Sequence, residues 1–179
     1  MPQAMNEAGE GGLPSGTATG RSAMEKSVEI VEFTLAGGKY ALDINLVREI
    51  VEMVPITPIP RAPPYISGVI NLRGEITNIV NLNTHLKLPD NGVSDSQKII
   101  VFTADTMKGN NVGIIVDTVT SVTRISESQI KLGKGSGDES AGNYVKGIIS
   151  MGGDADTQQE KGLVIWLDIL KLFKDIEKN

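Results

Sequence analysis

The sequence predicts an all-β protein made of two small barrels, and three observations lead to this fold class. Ile, Val and Leu supply most of the apolar residues, whereas aromatic residues make up only 4% of the 179 residues, and β-branched residues favour strands. Gly and Pro stand between the apolar runs, which is typical of short strands joined by turns. The order of motifs in the first half recurs in the second, which indicates an internal duplication.

The first half begins with a predicted hairpin. Apolar runs stand on both sides of Gly37 and Gly38, a pair that favours a tight turn. A third strand is expected after Asn45. Five prolines at residues 55–64 then exclude a regular strand or helix, so this stretch should be an extended connection.

A second hairpin follows the prolines. The runs GVINLRG and EITNIVNL predict two strands with Arg73 and Gly74 at the turn. Asn81 is the expected N-cap of a short helix that ends by Pro89.

The second half repeats this order at nearly constant spacing. An offset of 72 residues aligns the first hairpin and the segment after it, and an offset of 79 aligns the second hairpin. The aligned pairs are Leu42 with Ile114, Ile44 with Val116, Val47 with Val119, Ile50 with Val122, Tyr65 with Tyr144, Gly68 with Gly147 and Gly74 with Gly153. Asp168 then stands where Asn81 stands in the first half.

Each half offers about five short strands, too few to bury a good core alone. Closure into a barrel removes exposed strand edges, and two barrels can share one apolar seam. We therefore expect a disordered N-terminal tail at residues 1–27, which is poor in large apolar residues. A single domain should cover residues 28–176, with a first barrel at about 28–90 and a second at about 98–165. A C-terminal helix at about 168–178 should begin at Asp168.

Composition excludes several classes of function. A net charge of −5 argues against nucleic acid as a partner, because phosphate binding needs a basic surface. The absence of cysteine excludes disulfides and thiolate metal sites. No apolar run reaches the length of a membrane span, and the N-terminus lacks a signal-peptide pattern, so the expected location is the cytoplasm.

Nothing in the sequence favours catalysis, a metal or a cofactor. His85 is the only histidine, and no carboxylate in its local sequence would orient it as a catalytic base. The glycine-rich stretch at residues 133–143 lacks a phosphate-loop motif and is expected to be a loop.

Arg73 is the residue that the duplication singles out. Its equivalent in the second half is Gly152, so the barrel itself does not require an arginine there. Arginine is frequent at binding hot spots, and we therefore predict a partner-facing role for Arg73. Gly68 and Gly147 each precede a predicted strand, so we expect both to have a structural role.

Several motifs resemble the CheW adaptor family of bacterial and archaeal chemotaxis. The carriers are DINLVREIVE, IPRAPPYISGVINLRGEITNIVNL, VGIIVDTVTSV, YVKGI and LVIWLDILKLF, which together extend from about Val28 to Ile176. Two departures stand out: the family usually has Asp-Leu-Arg where this chain has residues 81–83, and often Asn where Arg61 stands.

The resemblance implies two SH3-like five-stranded β-barrels from an internal duplication around a shared hydrophobic core, with a C-terminal helix. It implies a scaffold without catalytic activity that joins methyl-accepting chemoreceptors to the histidine kinase CheA, associated peripherally with membrane receptor arrays. By the resemblance, the receptor-binding residues are Val47, Gly68 and Arg73. The kinase-binding residues are Glu49, Ile50 and Ile56, and Val116 and Val119 are weaker candidates in the second barrel.

Other interpretations remain open. The chain could be a paralogous module of another two-component pathway, including the regulatory domain of CheA or part of the fusion protein CheV. It could instead be a small-molecule sensor that uses the groove between the barrels, or a small metal-dependent or hydrolytic enzyme that uses His85.

Overall fold

The computed structural model describes residues 25–131, 144–152 and 162–178. In this part of the chain the strands are β1 (Ser27–Leu35), β2 (Gly38–Asp43), β3 (Val47–Glu52), β4 (Ile66–Leu72), β5 (Glu75–Val80), β6 (Lys98–Phe102), β7 (Val112–Val116), β8 (Thr118–Ser126), β9 (Ile130–Lys131), β10 (Val145–Met151) and β11 (Gly162–Leu167). The helices are α1 (Leu82–His85) and α2 (Ile169–Lys178). Residues 1–24 of the predicted tail lie outside the described residues. The last residue of the predicted tail, Ser27, is the first residue of β1. The predicted loop at residues 133–143 also lies outside them.

The strands form two sheets. Sheet 1 has the order β8-β1-β2-β11-β10-β9, and sheet 2 has the order β3-β6-β7-β5-β4. Neighbouring strands are antiparallel except for the pairs β11–β2 and β5–β7, which are parallel. In sheet 2 a single bridge between Thr57 and Val69 brings the segment after β3 to β4. The fold is thus all-β with two SH3-like barrels, and the outer strands of each sheet do not pair with one another in the described residues.

The predicted division into barrels at residues 28–90 and 98–165 is wrong. Sheet 2 is built from one continuous stretch, β3 to β7, whereas sheet 1 combines the first hairpin with β8 to β11. Each half of the duplication therefore gives its hairpin to one sheet and its later strands to the other. The repeat shows which strands of the two halves are equivalent. Because equivalent strands have similar apolar patterns, either one could pair with a given neighbour, and the sequence alone does not show which one does.

Strand registers confirm the duplication itself. In β4 the pairing skips one residue between Ile66 and Gly68, and in β10 it skips one between Val145 and Gly147. The third strand of each half carries a second matching irregularity, between Val47 and Glu49 in β3 and at the equivalent place in β8. Bulges at equivalent positions mean that the two halves share their backbone irregularities as well as their apolar pattern.

The largest apolar cluster lies between the sheets. Phe33 and Leu42 of sheet 1 and Phe102 and Val116 of sheet 2 are fully buried in it. The buried face of α2 joins the same cluster, where the ring of Phe173 lies 5.5 Å from that of Phe102. Two smaller clusters fill the interiors of the two barrels. This arrangement confirms the predicted shared core.

Both predicted helix caps are present. The side chain of Asn81 accepts a hydrogen bond from the backbone N–H of Asn83 at 2.9 Å, and Asp168 Oδ1 accepts one from the N–H of Lys171 at 3.0 Å. Each cap satisfies one of the backbone donors that a helix start leaves without an intrahelical partner. The C-terminal helix begins at Ile169, in agreement with the predicted start at Asp168.

Candidate partner-binding surface

The turn between β4 and β5 holds Arg73 in a left-handed backbone conformation. Its φ is 54°, and that of Gly74 is 87°, so both central residues of the turn have positive φ. This is the geometry of the type I′ hairpin turn, which favours Asn or Gly at the first position. Gly152, at the equivalent place after β10, has a φ of 80°. Arginine therefore occupies a position where the backbone favours glycine.

A cluster of four charges surrounds this turn. Arg73 forms an ion pair with Glu49 of β3 at 3.0 Å, and Arg48 forms one with Glu75 of β5 at 2.7 Å. Arg48 also lies 3.7 Å from Glu49. The Glu75 carboxylate raises the pKa of the Arg48 guanidinium above its ordinary value, through a hydrogen bond and its charge. The cluster ties the hairpin turn to the start of β3.

The two members of the central ion pair differ in exposure. The Arg73 side chain is 75% exposed, whereas that of Glu49 is only 15% exposed. Glu49 Oε1 lies within ion-pair distance of Arg48 but makes no hydrogen bond to any residue that the structure describes. We regard the Arg73 contact as the stronger one, because it is short enough for a charge-assisted hydrogen bond. Glu49 is thus placed to orient Arg73, while Arg73 presents its charge to solvent.

Val47 and Ile50 lie on the strand that holds Glu49. Val47 is half-buried and packs against the shared core, with Phe102 as its pairing partner on β6. Ile50 is exposed at 37%, and its equivalent in sheet 1, Val122, is exposed at 56%. The apolar face of β3 therefore runs from the shared core out to solvent.

Gly68 has a structural reason to be glycine. Its φ is 144°, and a Cβ atom at this position would overlap the carbonyl oxygen of Thr57 and approach Ile56. Thr57 and Val69 exchange two backbone hydrogen bonds, of 2.9 and 2.8 Å, next to it. Gly68 thereby lets the proline-containing segment cross close to β4, as the sequence predicted for a structural glycine.

Ile56 lies in that segment and lines a surface cavity of about 360 Å³. The other lining residues are Met53, Val54, Pro55, Pro58, Ser67, Val93 and Asp95. Val93 is 61% exposed at its rim. The cavity is apolar with one acidic group, so it suits an apolar side chain better than a charged ligand.

The predicted residues thus fall into two neighbouring groups on sheet 2. Glu49 and Arg73 belong to the charge cluster, and Val47 and Ile50 lie on the same strand as Glu49. Ile56 lines the cavity, and Gly68 lies beside Ile56. Sequence reasoning missed Arg48 and Glu75, since ion pairing between distant strands leaves no local pattern. It also missed Ile76, which is 59% exposed beside Glu75. Val116 is fully buried, so it is a core residue and not a surface candidate.

His85 lies at the end of α1 and is not one of the residues of this surface. Its contacts are Tyr65 and Tyr144. Within the described residues no group of His, Cys, Asp and Glu side chains is arranged to hold a metal ion. The helices of the described residues are all too short or too polar to cross a membrane.

Comparison with known proteins assigns the chain to a family. Residues 29–177 match the CheW-like domain. The chain belongs to the CheW family. It is 34% identical to the chemotaxis protein CheW of Thermotoga maritima over 84% of this chain and 91% of that protein. It is 29% identical to the chemotaxis protein CheW of Treponema pallidum over 86% of this chain and 88% of that protein.

A solved CheW structure supports the same assignment. The crystal structure of the scaffolding protein TtCheW from Thermoanaerobacter tengcongensis is similar with a TM-score of 0.68 at 31% identity. The match covers 83% of this chain and 94% of that chain. CheW membership therefore extends over both sheets and is not confined to one barrel.

Proposed function

We propose that this CheW-family chain is an adaptor that couples the cytoplasmic tip of methyl-accepting chemoreceptors to the regulatory domain of the histidine kinase CheA. Family membership supports the coupling role in chemotaxis signal transduction. The position of Arg73 is the observation that supports a specific binding surface. It occupies a left-handed turn position at which the second copy has glycine, and it directs its charge to solvent.

The proposed receptor-binding residues are Val47, Gly68 and Arg73. Arg73 supplies an exposed cation that Glu49 already orients, which lowers the entropy lost when a partner orders it. Val47 packs β3 against the shared core, next in sequence to Arg48 of the charge cluster. Gly68 acts indirectly, because it sets the position of the Thr57 segment relative to β4.

The proposed kinase-binding residues are Glu49, Ile50 and Ile56. Ile50 offers an exposed apolar side chain, and Ile56 lines the cavity beside β4. Glu49 is mostly covered, so its contribution to either partner is to position Arg73. The two groups adjoin, which allows one end of the molecule to contact both partners.

This role places the chain in the cytoplasm, bound peripherally to receptor arrays. Single contacts of micromolar affinity, or about −8 kcal/mol each, are sufficient for such a scaffold. Many linked contacts then raise the overall stability of an array.

The decisive experiment is a calorimetric titration with a soluble receptor hairpin and, separately, with the CheA regulatory domain. Arg73→Ala should weaken receptor binding roughly tenfold or more, the scale of a hot-spot arginine. Arg124→Ala is the matched control, because Arg124 is an exposed arginine of sheet 1 that pairs with Glu29 at 2.6 Å. If Arg124→Ala weakens receptor binding as much as Arg73→Ala, the assignment of the receptor surface is wrong.

The titration with the CheA regulatory domain uses a second pair of matched variants. Ile50→Ala should weaken CheA binding, whereas Val122→Ala, the equivalent change in sheet 1, should have a smaller effect. Absence of binding to either partner by the unmodified chain would overturn the adaptor proposal for those partners.

A further inference from the structure

A cavity of about 220 Å³ lies between α2 and sheet 2. Its walls come from α2, from β4, β5 and β7, and from the segment between β6 and β7. Apolar side chains form most of the lining: Ile66, Val80, Met107, Val112, Phe173 and Ile176. An engineered apolar cavity of roughly 150 Å³ is enough to bind benzene, so this cavity has room for one small ring.

The duplication shows which side chains stand at the equivalent place in sheet 1. Val112 of β7 is equivalent to Tyr40 of β2 by the offset of 72 residues, and Asn78 of β5 stands where β11 has Ile165. Each pair is in register across the parallel contact of its sheet, Asn78 with Val112 and Ile165 with Tyr40. The same place in the two sheets therefore holds a tyrosine and an isoleucine in one copy, and a valine and an asparagine in the other.

In sheet 1 the larger pair is packed into the shared core. Tyr40 is only 8% exposed, and its ring stacks on that of Phe33 with 6.1 Å between the centroids. Ile165 packs against the same core. Val112 has no ring, and sheet 2 has the cavity at this place. The cavity thus corresponds to the phenol ring that the second tyrosine would have supplied.

The polar groups of the cavity favour a neutral ligand. Glu177 is the one charged residue among the described residues that line it. Its carboxylate is already paired, since Glu177 Oε2 lies 2.6 Å from Lys108 Nζ. Asn78 is half-buried, and its side-chain amide can both donate and accept a hydrogen bond. A ring with one hydroxyl or N–H group therefore fits this lining better than an ion does.

The wall that α2 contributes is held in place by the protein itself. The Tyr65 hydroxyl donates a hydrogen bond to the backbone carbonyl of Ile176 at 3.3 Å. The ring of Phe173 lies 5.5 Å from that of Phe102, edge to face. A cavity whose walls are already fixed loses little conformational entropy when a ligand enters.

We propose that this cavity binds a small, neutral, planar aromatic molecule of about the size of phenol, at the place equivalent to the Tyr40 ring of sheet 1. The ring contacts Met107 and Phe173, because a thioether and an aromatic edge are favourable neighbours for it. Its hydroxyl or N–H group bonds to Asn78. The proposal does not depend on the adaptor function, since none of the proposed receptor- or kinase-binding residues lines this cavity.

Methyl NMR of the methionines tests the site in the intact chain, with phenol as the probe. Met107 lines this cavity and Met53 lines the cavity beside Ile56, so one sample reports on both. Phenol should shift the Met107 methyl signal saturably, with a dissociation constant of about 1 mM or lower, and leave the Met53 signal unchanged. Cyclohexanol, which has a hydroxyl but no planar ring, should bind several-fold more weakly.

Val112→Tyr places the sheet 1 residue at the equivalent position of sheet 2 and should fill the cavity. We expect the dissociation constant for phenol to rise by a factor of about ten or more. Val112→Ala is the matched control, because it removes volume at the same position and should retain phenol binding.

Three results would overturn the site: no saturable shift of Met107, equal shifts of Met53 and Met107, or unchanged phenol binding by Val112→Tyr. If Val112→Tyr does not fold, Asn78→Ile provides the test, since it introduces the other sheet 1 residue and removes the amide. It should weaken the binding of phenol more than that of toluene, which has no hydroxyl. An equal effect on the two ligands would contradict the proposed contact with Asn78.

Discussion

Arg73 combines an unfavourable backbone conformation with an exposed side chain. A non-glycine residue in the left-handed region costs about 1–2 kcal/mol. The ion pair with Glu49 recovers only part of this, because exposed pairs contribute about 1 kcal/mol or less. The second copy has glycine at this position, as the backbone favours, and the arginine in the first copy supports the proposed role in receptor binding.

Arg73→Gly should therefore stabilise the fold while it weakens receptor binding. We expect the free energy of unfolding to rise by about 1 kcal/mol, since glycine adopts positive φ without steric cost. Chemical denaturation measures the stability, and calorimetry with the receptor hairpin measures the binding.

Arg73→Asn is the control for this prediction. Asn tolerates the left-handed region better than Arg but lacks the guanidinium, so its stability should lie between those of Arg and Gly while receptor binding is lost. A decrease in stability for Arg73→Gly would show that the charge cluster outweighs the backbone cost.

The same backbone reasoning accounts for Arg61. Its φ is 62°, a conformation in which Asn is several-fold enriched. Arg61 is thus a second arginine in the left-handed region, and it lies within the proline segment at residues 55–64. Asn83, the last residue of the 81–83 departure, is buried, and its Oδ1 has no hydrogen-bond partner among the described residues.

Among the elements, β4 requires glycine at position 68 because the Thr57 backbone passes close to it. Gly68→Ala should lower the free energy of unfolding by roughly 2–3 kcal/mol, because the new Cβ overlaps the Thr57 carbonyl in a backbone conformation unfavourable for alanine. Gly147 is the equivalent residue of β10, but a Cβ there would lie 3.0 Å from the Lys131 carbonyl oxygen without positive φ.

Gly147→Ala is therefore the internal control, and it should cost less than about 1 kcal/mol. Urea denaturation of both variants measures the difference. Equal losses in the two variants would mean that the bulge, and not the contact with Thr57, determines the need for glycine. If Gly68→Ala keeps full stability and still loses receptor binding, Gly68 is a direct contact.

Sequence reasoning recovered the elements better than their contacts. Turn residues such as Gly37 and the caps Asn81 and Asp168 leave local signals, so hairpins and helix starts could be predicted. The ion pair between Glu49 and Arg73 and the meeting of Tyr65, His85 and Tyr144 depend on distant segments, and no local pattern encodes them. Gly68 was identified as structural from the repeat, but the Thr57 backbone that requires it could not be foreseen.

At the scale of the whole molecule, sheet 2 is inserted in the sequence between the first hairpin and the later strands of sheet 1, and this nested arrangement predicts that neither half folds alone. A first fragment that ends near residue 90 contains β1 and β2 of sheet 1 together with β3 to β5 of sheet 2. A second fragment that begins near residue 97 contains the missing strands of both sheets. Each fragment would also expose its share of the core between the sheets.

We expect each fragment to be unfolded in isolation and an equimolar mixture to recover the fold. Circular dichroism and NMR dispersion of the separate and mixed fragments measure this. Independent folding of either fragment would contradict the nested arrangement.

The nested arrangement also determines the order in which the two sheets can be completed during translation. Sheet 2 is complete in sequence once β7 has emerged, whereas the hairpin of β1 and β2, made first, waits for β8 and β11. During most of synthesis the nascent chain therefore carries an unpaired hairpin edge with buried-type residues such as Val31 and Phe33. Unpaired strand edges are aggregation-prone, so the hairpin of β1 and β2 needs protection until the last strands arrive.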